Sequence, residues 1–143
     1  MKKDYTLRQY QSTDIYEIIE LLQDVSLFRP SDDMLEKLRR SFGSSEDAYS
    51  CVCTHNSSIV AFGSIFFYQR IRGGITGVIE DVVVDSSYRG LGLGRSIIMR
   101  LIDQAEERVA CKVILESSDS AYTLYKSIGF APYNNAMKYA ANT

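Results

Sequence analysis

The sequence predicts a mixed α/β fold of the α+β type, with a central β-sheet flanked by helices. Some segments carry alternating or near-continuous apolar residues, which is typical of strands. Others carry apolar residues every three or four positions, which is typical of helices. The segments follow one another as β, αα, β-hairpin, β, α, β, α and a weaker last strand, an order typical of a mixed sheet. With 143 residues, the chain can form a single domain, 1–143, around one core.

The N-terminal part of the chain is expected to form a strand and two helices. Tyr5–Arg8 alternates like a short strand, and the polar residues at 12–14 offer N-cap oxygens to a helix that reaches about Val25. A second helix follows, with Ser31 or Asp32 as its N-cap residue. Two helices are therefore expected before most of the sheet.

The rest of the chain is expected to alternate between strands and helices. Strand-forming residues dominate 48–68 on both sides of the turn-forming residues His55–Ser58, which predicts a hairpin. Gly77–Val84 has the near-continuous apolar character of a strand that is covered on both faces. Further predictions are a helix over Ser96–Val109, a strand over Lys112–Leu115, a helix over Ala121–Ile128 closed by Gly129, and a weak strand near Met137–Tyr139.

Charge and composition argue against several kinds of partner. Sixteen Lys and Arg stand against eighteen Asp and Glu, a net charge of −2, so no global field attracts nucleic acid or a membrane. The N-terminus has no apolar stretch, so we expect a cytoplasmic protein. Cys51, Cys53 and Cys111 are expected to be reduced core residues, and His55 lies in a predicted turn, so no metal site is expected.

A loop rich in glycine, Arg89–Arg95, follows the predicted buried strand and opens a helix. Glycine reaches unusual dihedral angles and lets a ligand approach the backbone, and the exposed N–H groups of a helix start bind phosphate oxygens. Arg89 and Arg95 flank the loop and can add charge-assisted hydrogen bonds. The segment therefore predicts a cradle for a pyrophosphate.

This loop has other interpretations. The glycines could belong to a flexible loop without a ligand. A dinucleotide-binding fingerprint needs Gly-x-Gly-x-x-Gly in an early βαβ unit, and this loop has another spacing and comes late in the chain. A Walker loop ends in Gly-Lys-Ser/Thr, whereas the run Gly94–Ser96 has no lysine. Nucleotide hydrolysis is therefore disfavoured.

The run Arg89–Gly94 resembles the Arg/Gln-x-x-Gly-x-Gly/Ala signature of the GNAT acetyltransferase superfamily. More narrowly, four blocks that cover about half of the chain are similar to the glucosamine 6-phosphate N-acetyltransferases. They are Ile79–Val84, Ser87–Gly94, Lys112–Leu115 and Leu124–Phe130.

The resemblance implies the GNAT fold, in which a bulged strand splays from its neighbour to hold the coenzyme. It also implies transfer of acetyl from acetyl-CoA to the amine of glucosamine 6-phosphate by direct attack in a ternary complex, for UDP-GlcNAc biosynthesis, without a metal. The coenzyme-binding residues that it implies are Val82, Val83, Val84, Arg89, Gly90, Leu91, Gly92, Gly94, Arg95, Ser96, Tyr125 and Lys126.

Catalytic roles also follow from the resemblance. Val82 would present its backbone N–H to the acetyl carbonyl. The phenol of Tyr125, with an ordinary pKa near 10, would donate a proton or a hydrogen bond to the coenzyme sulfur. A purely structural alternative is that Tyr122 and Tyr125, three residues apart on one helix, only pack.

Three carboxylates complete the implied site. Asp81 resembles an aspartate that contacts the sugar, Glu80 would act on the amine through its backbone or its charge, and Glu116 would receive the amine proton. Adjacent strand residues point to opposite faces, so Glu80 and Asp81 cannot act as a pair unless the backbone bulges. An ion pair of purely structural importance is the alternative.

The resemblance is least specific for the residues that would recognise the substrate. Lys112 matches a lysine near the sugar phosphate, and Arg29 is a candidate for the same phosphate; Arg70 and Arg72 could bind phosphate or remain surface charges. The chain has Val78 and Ala121 where the resembled family commonly has His and Asn. Another amine or peptide N-terminus as acceptor, and a non-catalytic coenzyme-binding module, are the alternatives. The resemblance also implies a homodimer whose subunits share active-site residues.

Overall fold

A computed structural model describes residues 4–141. They form a five-stranded sheet with the strand order β1-β2-β3-β4-β5 and four helices. Neighbouring strands are antiparallel, except that β4 and β5 are parallel and are joined through α3, so the sheet is mixed as predicted. The elements are β1 (Tyr5–Gln9), α1 (Ile15–Leu22), α2 (Asp32–Ser41), β2 (Ala48–His55), β3 (Ser58–Arg70), β4 (Gly74–Val84), α3 (Leu93–Glu107), β5 (Lys112–Leu115) and α4 (Tyr122–Ile128).

The core consists of two apolar clusters on opposite faces of the sheet. Side chains alternate along a strand, so in β2 the buried Cys51 packs on one face and the buried Val52 on the other. The larger cluster packs against α3, whose residues Ile97 and Leu101 are fully buried. The smaller one packs against α1 through Ile18. Full burial of such a side chain contributes about 1.5–3 kcal/mol to stability.

β4 contains a bulge in the middle of the sheet. Glu80 lies opposite Ser64 of β3 and Val83 lies opposite Phe62, so the intervening pair 81–82 faces the single residue Gly63. A two-against-one arrangement of this kind bends the strand and leaves the extra residues outside the regular ladder. Asp81 adopts a positive φ of 55° within the bulge.

β4 also separates from β5 beyond the bulge. The parallel ladder ends where Ile79 lies opposite Leu115, which is the last residue of β5. β4 continues to Val84, so its bulged half has no neighbour on that side within residues 4–141. This is the splayed strand pair that the resemblance implied, and it opens a cleft between the two strands.

The end of α1 and its N-cap differ from the predictions, whereas the N-cap of α2 agrees with them. The first helix ends before a turn at 23–25 instead of continuing to Val25. The carboxylate of Asp14 does not cap this helix, because it accepts hydrogen bonds from the Gln11 N–H and from both terminal nitrogens of Arg8, at 2.8–2.9 Å. Ser31 caps α2 as predicted.

Three further predictions are corrected. β4 begins at Gly74 and not at Gly77, because the hairpin ladder with β3 extends to Arg70. α3 begins at Leu93 and not at Ser96, since the Leu93 side chain is buried against the core. Cys51 and Cys53 are buried as expected, but Cys111 is exposed where the chain enters β5, and its thiol donates to the carbonyl of Ile75 at 3.0 Å.

The weak strand predicted near Met137–Tyr139 is wrong for this structure. Residues 130–141 contain no helix or strand, and Met137 and Tyr139 are 96% and 90% exposed. A strand forms only where a neighbouring strand satisfies its N–H and C=O groups, and no strand of residues 4–141 pairs with this segment. In the same described range, none of the helices combines the length and apolar character that crossing a membrane requires.

Candidate active site

A groove of about 1040 Å³ lies between β4, β5, α4 and the segment that follows α4. Most of its walls are apolar. The predicted site residues Glu80, Glu116, Tyr125, Lys112 and Lys126 all line it, although they come from three parts of the chain, namely β4, β5 with the residue after it, and α4. Glu80 and Glu116 lie where the groove meets the splayed ends of β4 and β5, whereas Asp81, Val82–Val84 and the loop Arg89–Arg95 do not line the groove.

The loop predicted to bind a pyrophosphate is exposed at its tip. Gly90 and Gly92 have positive φ angles of 78° and 82°, a conformation that glycine adopts without strain. A Cβ at either position would meet no atom within 4 Å, so the backbone angle and not crowding demands glycine. Space for a ligand is therefore available directly over the loop.

The start of α3 supplies unsatisfied donors beside this loop. Gly92 is the N-cap residue, and no side chain caps the helix. Its carbonyl accepts both the N–H and the hydroxyl of Ser96, each at 3.1 Å, which secures the first turn. The N–H groups at the beginning of a helix have no partners within the helix and attract anions. This arrangement fits the pyrophosphate of a coenzyme.

Gly94 has a different structural role from the other two glycines of the motif. Its φ is not positive, and a Cβ placed on it would lie 3.6 Å from Val84 and 3.6 Å from Leu124. Gly94 thus lies where α3 passes close to β4 and α4. The alternation of glycines in the sequence did not reveal this difference.

The charged residues beside the loop lie in two settings. Arg95 donates a hydrogen bond to the hydroxyl of Ser127 on α4 at 3.2 Å. Arg89 is exposed and forms no hydrogen bond or ion pair with any part of the chain between residues 4 and 141. Arg89 is therefore available to an anionic ligand, whereas Arg95 links this loop to α4.

Tyr125 is half-buried in the groove. Its ring packs edge-on against Phe130, with ring centroids 5.9 Å apart, and burial raises the pKa of its hydroxyl. The hydroxyl has no hydrogen-bond partner within the described residues. A neutral phenol with a raised pKa retains its proton at neutral pH and can donate it. Tyr125 therefore packs and also presents a donor to the groove, while Tyr122 is an exposed residue of the same wall.

The three predicted carboxylates lie near the bulge. Partial burial raises the pKa of Glu80, and the charges of Asp81 and Glu116 raise it further. Partial burial also raises the pKa of Asp81. None of the three forms an ion pair with another described residue, so the structural ion-pair alternative is wrong for this structure. The bulge removes the strict alternation of side chains that had argued against joint action of Glu80 and Asp81.

A cationic cluster lies at the other end of the groove. The Lys112 ammonium donates a hydrogen bond to the Tyr133 hydroxyl at 2.8 Å and lies 5.0 Å from the centre of its ring. This hydrogen bond, and the positive charges of Lys112 and Arg70, lower the pKa of Tyr133. Sequence analysis missed Tyr133, because a tyrosine in a loop carries no pattern that distinguishes it from a surface residue.

Arg29 and Arg72 lie elsewhere. Arg29 forms an exposed ion pair with Glu20 of α1 and does not line the groove. Arg72 is exposed in the turn between β3 and β4. The structure of one chain therefore places Lys112 and Arg70 together and leaves Arg29 apart from them.

The fold is that of a known class of enzyme. The chain belongs to the Acetyltransferase (GNAT) family, which it matches over residues 15–130. A glucosamine 6-phosphate N-acetyltransferase from Trypanosoma brucei brucei is 33% identical to it, over 94% of this chain and 95% of the relative.

Solved structures agree with this assignment. The crystal structure of glucosamine-6-phosphate N-acetyltransferase from Arabidopsis thaliana superimposes with a TM-score of 0.85 at 28% identity, covering 96% of this chain and 99% of that one. A predicted acetyltransferase from Clostridium acetobutylicum, solved with acetyl-CoA, superimposes with a TM-score of 0.79 at 21% identity, covering 95% and 96%. The fold class expected from the sequence is thus confirmed.

Proposed function

We propose that this chain is an N-acetyltransferase that moves the acetyl group of acetyl-CoA to the amine of glucosamine 6-phosphate and forms N-acetylglucosamine 6-phosphate. One observation carries the proposal: a single groove joins the hydroxyl of Tyr125 and the carboxylates of Glu80 and Glu116 to the ammonium of Lys112. The names of the relatives from Trypanosoma and Arabidopsis support the same substrate.

The coenzyme is held by backbone groups more than by side chains. The pyrophosphate lies over Arg89–Gly92 and the start of α3, where donors are unsatisfied and no Cβ intervenes. The pantetheine arm follows Val82–Val84 in the cleft that β4 forms by leaving β5, where the strand edge has no partner among residues 4–141. Lys126 and Tyr125 on α4 close the other side.

Acetyl transfer requires a neutral amine, a donor to the acetyl oxygen and a donor to the departing sulfur. Glu80 takes up the proton that the amine loses, a role that suits its raised pKa, and Glu116 lies beside it in the groove. The N–H of Val82, which lies outside the regular ladder, donates to the acetyl oxygen as negative charge develops there. A backbone donor of this kind contributes about 3 kcal/mol to transition-state stabilisation. Tyr125 donates to the sulfur.

The phosphate of the sugar is recognised by Lys112 and Arg70. Tyr133 accepts a hydrogen bond from the Lys112 ammonium, and the nearby charge of Arg70 helps to lower the pKa of Tyr133. Charge-assisted hydrogen bonds from Lys and Arg are the usual means of binding a phosphate. Asp81 contacts the sugar hydroxyls from the bulge. Neither Arg70 nor Arg29 lines the groove; Arg70 lies close enough to Tyr133 to lower its pKa, whereas Arg29 pairs with Glu20 and stays a candidate only through a partner subunit.

We further propose that the chain acts as a cytoplasmic homodimer in UDP-GlcNAc biosynthesis. α1 and α2 cover one side of the sheet but leave its β5 end uncovered. A row of apolar residues lies on this uncovered part, in which Phe66 is opposite Val78 and Val78 is opposite Ile114. Phe66 and the nearby Tyr68 are exposed. An apolar sheet face of this kind suits a contact between subunits.

A second acceptor is favoured by one observation. Glu80 and Glu116 bring negative charge to the groove and are not neutralised by a described cation, so a polycationic amine such as a polyamine would also be attracted. The cluster of Lys112 and Arg70 would repel such a substrate. This contrast makes the two acceptors separable by experiment.

A thiol-release assay tests the proposal directly. Purified protein and acetyl-CoA are mixed in turn with glucosamine 6-phosphate, glucosamine, spermidine and a peptide with a free N-terminus. We expect glucosamine 6-phosphate to give the highest kcat/KM. A higher kcat/KM with spermidine would assign the polyamine function, and binding of CoA without release of the CoA thiol in the presence of any acceptor would indicate a non-catalytic module.

A further inference from the structure

Three aromatic residues from distant parts of the chain meet beside the loop Arg89–Arg95, the coenzyme loop of the proposed function. The Tyr5 ring, at the start of β1, stacks on the His55 ring, at the end of β2, with centroids 4.7 Å apart. Nδ1 of His55 shares a hydrogen bond of 3.1 Å with the hydroxyl of Tyr88. The Tyr88 ring meets both others edge-on, at 5.4 Å and 6.2 Å. These three residues form the Tyr88 cluster.

The Tyr88 cluster lies at the N-terminal end of the coenzyme loop, where backbone hydrogen bonding stops. The N–H of Tyr88 donates to the carbonyl of Asp85, and the next backbone hydrogen bond along the chain involves the Gly92 carbonyl. Between them, residues 89–91 are exposed and make no backbone hydrogen bond within the described chain. The loop is therefore held at one end by α3 and at the other by Tyr88.

The hydrogen bond between His55 and Tyr88 restrains the direction in which the chain leaves Tyr88. Tyr88 is the last residue of a short 3-10 turn, and Arg89 follows it immediately. The Tyr88 ring is half-buried and packs against the main core, so its backbone shifts when the ring shifts. A loop whose donors must converge on a ligand binds more tightly when its conformation is already fixed.

We propose that Tyr88 is a positioning residue for coenzyme binding, with His55 holding its hydroxyl and Tyr5 supporting the His55 ring. The inference rests on the proposed function, because it requires the loop to bind acetyl-CoA. The Tyr88 cluster does not line the acceptor groove, so it acts on the coenzyme and not on the amine.

Replacing Tyr88→Phe separates the hydrogen bond from the packing of the ring. We expect the Kd for CoA, measured by calorimetry, and the KM for acetyl-CoA to rise about fivefold, the effect of losing one neutral hydrogen bond. The kcat and the KM for the amine should not change. A residue that only stabilises the fold would lower the melting temperature without this separation of KM from kcat.

Variants of His55 test the other partner of this hydrogen bond. His55→Phe retains a ring over Tyr5 but has no nitrogen, so it should weaken CoA binding as much as Tyr88→Phe does. His55→Asn retains a polar group near the position of Nδ1 and should restore most of the affinity. The double variant Tyr88→Phe/His55→Phe should be no weaker than either single one, because both remove the same bond.

Tyr10→Phe is the matched control. The Tyr10 ring is also partly buried and packs edge-on against Phe42 at 5.1 Å, but its hydroxyl is buried without a hydrogen-bond partner in the described residues. Its replacement should leave CoA affinity and kcat as in the wild type. Melting curves for every variant verify that the fold is retained.

Several outcomes would overturn the inference. Tyr88→Phe with wild-type affinity for CoA would do so, as would equal weakening by Tyr10→Phe or a rise in the KM of the amine alone. Loss of affinity in His55→Asn as large as in His55→Phe would also contradict it. If the wild-type protein did not bind CoA, the proposed function would fall together with the inference.

Discussion

Glu80 and Asp81 occupy successive positions in β4, and the charge of Asp81 adds to partial burial in raising the pKa of Glu80. This relationship depends on the bulge, where Asp81 adopts a positive φ of 55° and leaves the regular ladder. In a regular strand the two side chains would point to opposite faces of the sheet. The bulge thus connects backbone geometry with the basicity of a predicted catalytic group.

Replacing Asp81→Asn should lower the pKa of Glu80. The change removes a negative charge that disfavours ionisation of Glu80, and asparagine tolerates a positive φ, so the backbone is preserved. A titration of Glu80 by carboxyl carbon NMR measures the shift. Asp119→Asn, an exposed change outside the causes of the shift, is the control. An unchanged Glu80 titration in Asp81→Asn would refute the coupling.

Replacing Tyr125→Phe should lower kcat about a hundredfold, the usual effect of losing a general acid. CoA binding should change little, because the ring still packs against Phe130 and the hydroxyl has no other described partner. Single-turnover thiol release and calorimetry measure the two effects. Tyr122→Phe, three residues earlier on the same wall, is the control and should keep its kcat. Equal turnover in Tyr125→Phe would remove its proposed role.

Gly92→Ala and Gly94→Ala should differ although the residues are two positions apart. Alanine at position 92 must adopt a φ near 82°, which costs about 1–2 kcal/mol and distorts the coenzyme loop. Alanine at position 94 has a usual φ and makes ordinary contacts at 3.6 Å with Val84 and Leu124. Stability against urea and affinity for CoA should therefore fall in Gly92→Ala only. Equal loss in both would indicate that the loop conformation differs from the one described.

Replacing Lys112→Ala should raise the KM for glucosamine 6-phosphate about tenfold and leave that for glucosamine unchanged. The reason is that the proposed function has Lys112 contact only the phosphate of the acceptor, and a hydrogen bond to a charged group contributes about 1.5–3 kcal/mol. Lys37→Ala, an exposed lysine of α2, is the control for net charge. Arg29→Ala in the same assay tests the other predicted phosphate residue; a tenfold rise there with no rise in Lys112→Ala would reverse the assignment.

The ion pair of Asp14 and Arg8 should contribute to stability in a pH-dependent way. Burial disfavours ionisation of Asp14, but hydrogen bonds from Arg8 and the Gln11 N–H outweigh it and lower its pKa. A lowered folded-state pKa stabilises the fold above the unfolded value of about 3.9 and loses this effect as pH falls below it. Asp14→Asn should thus lower the free energy of unfolding by about 2 kcal/mol at pH 7 and by less at pH 3. Denaturant curves at both values measure the difference.

Local patterns in the sequence were sufficient for much of the fold. The hairpin around His55–Ser58, the N-cap at Ser31 and β5 at Lys112–Leu115 were all predicted and are confirmed. Each depends on residues that are close together in the chain, whose turn, cap and apolar preferences act over a few positions. The same holds for the glycine loop, where positive φ angles at Gly90 and Gly92 leave a mark in the sequence itself.

Contacts between distant residues could not be read from the chain in the same way. Tyr88 lies 33 residues from its partner His55, and Lys112 lies 21 residues from Tyr133, so no local pattern indicates either pair. The failed strand at Met137–Tyr139 has the same cause, because a strand exists only beside a neighbour that pairs with it. Local chain preferences settle turns, caps and helix faces, whereas packing of the assembled sheet places the side chains that form the site.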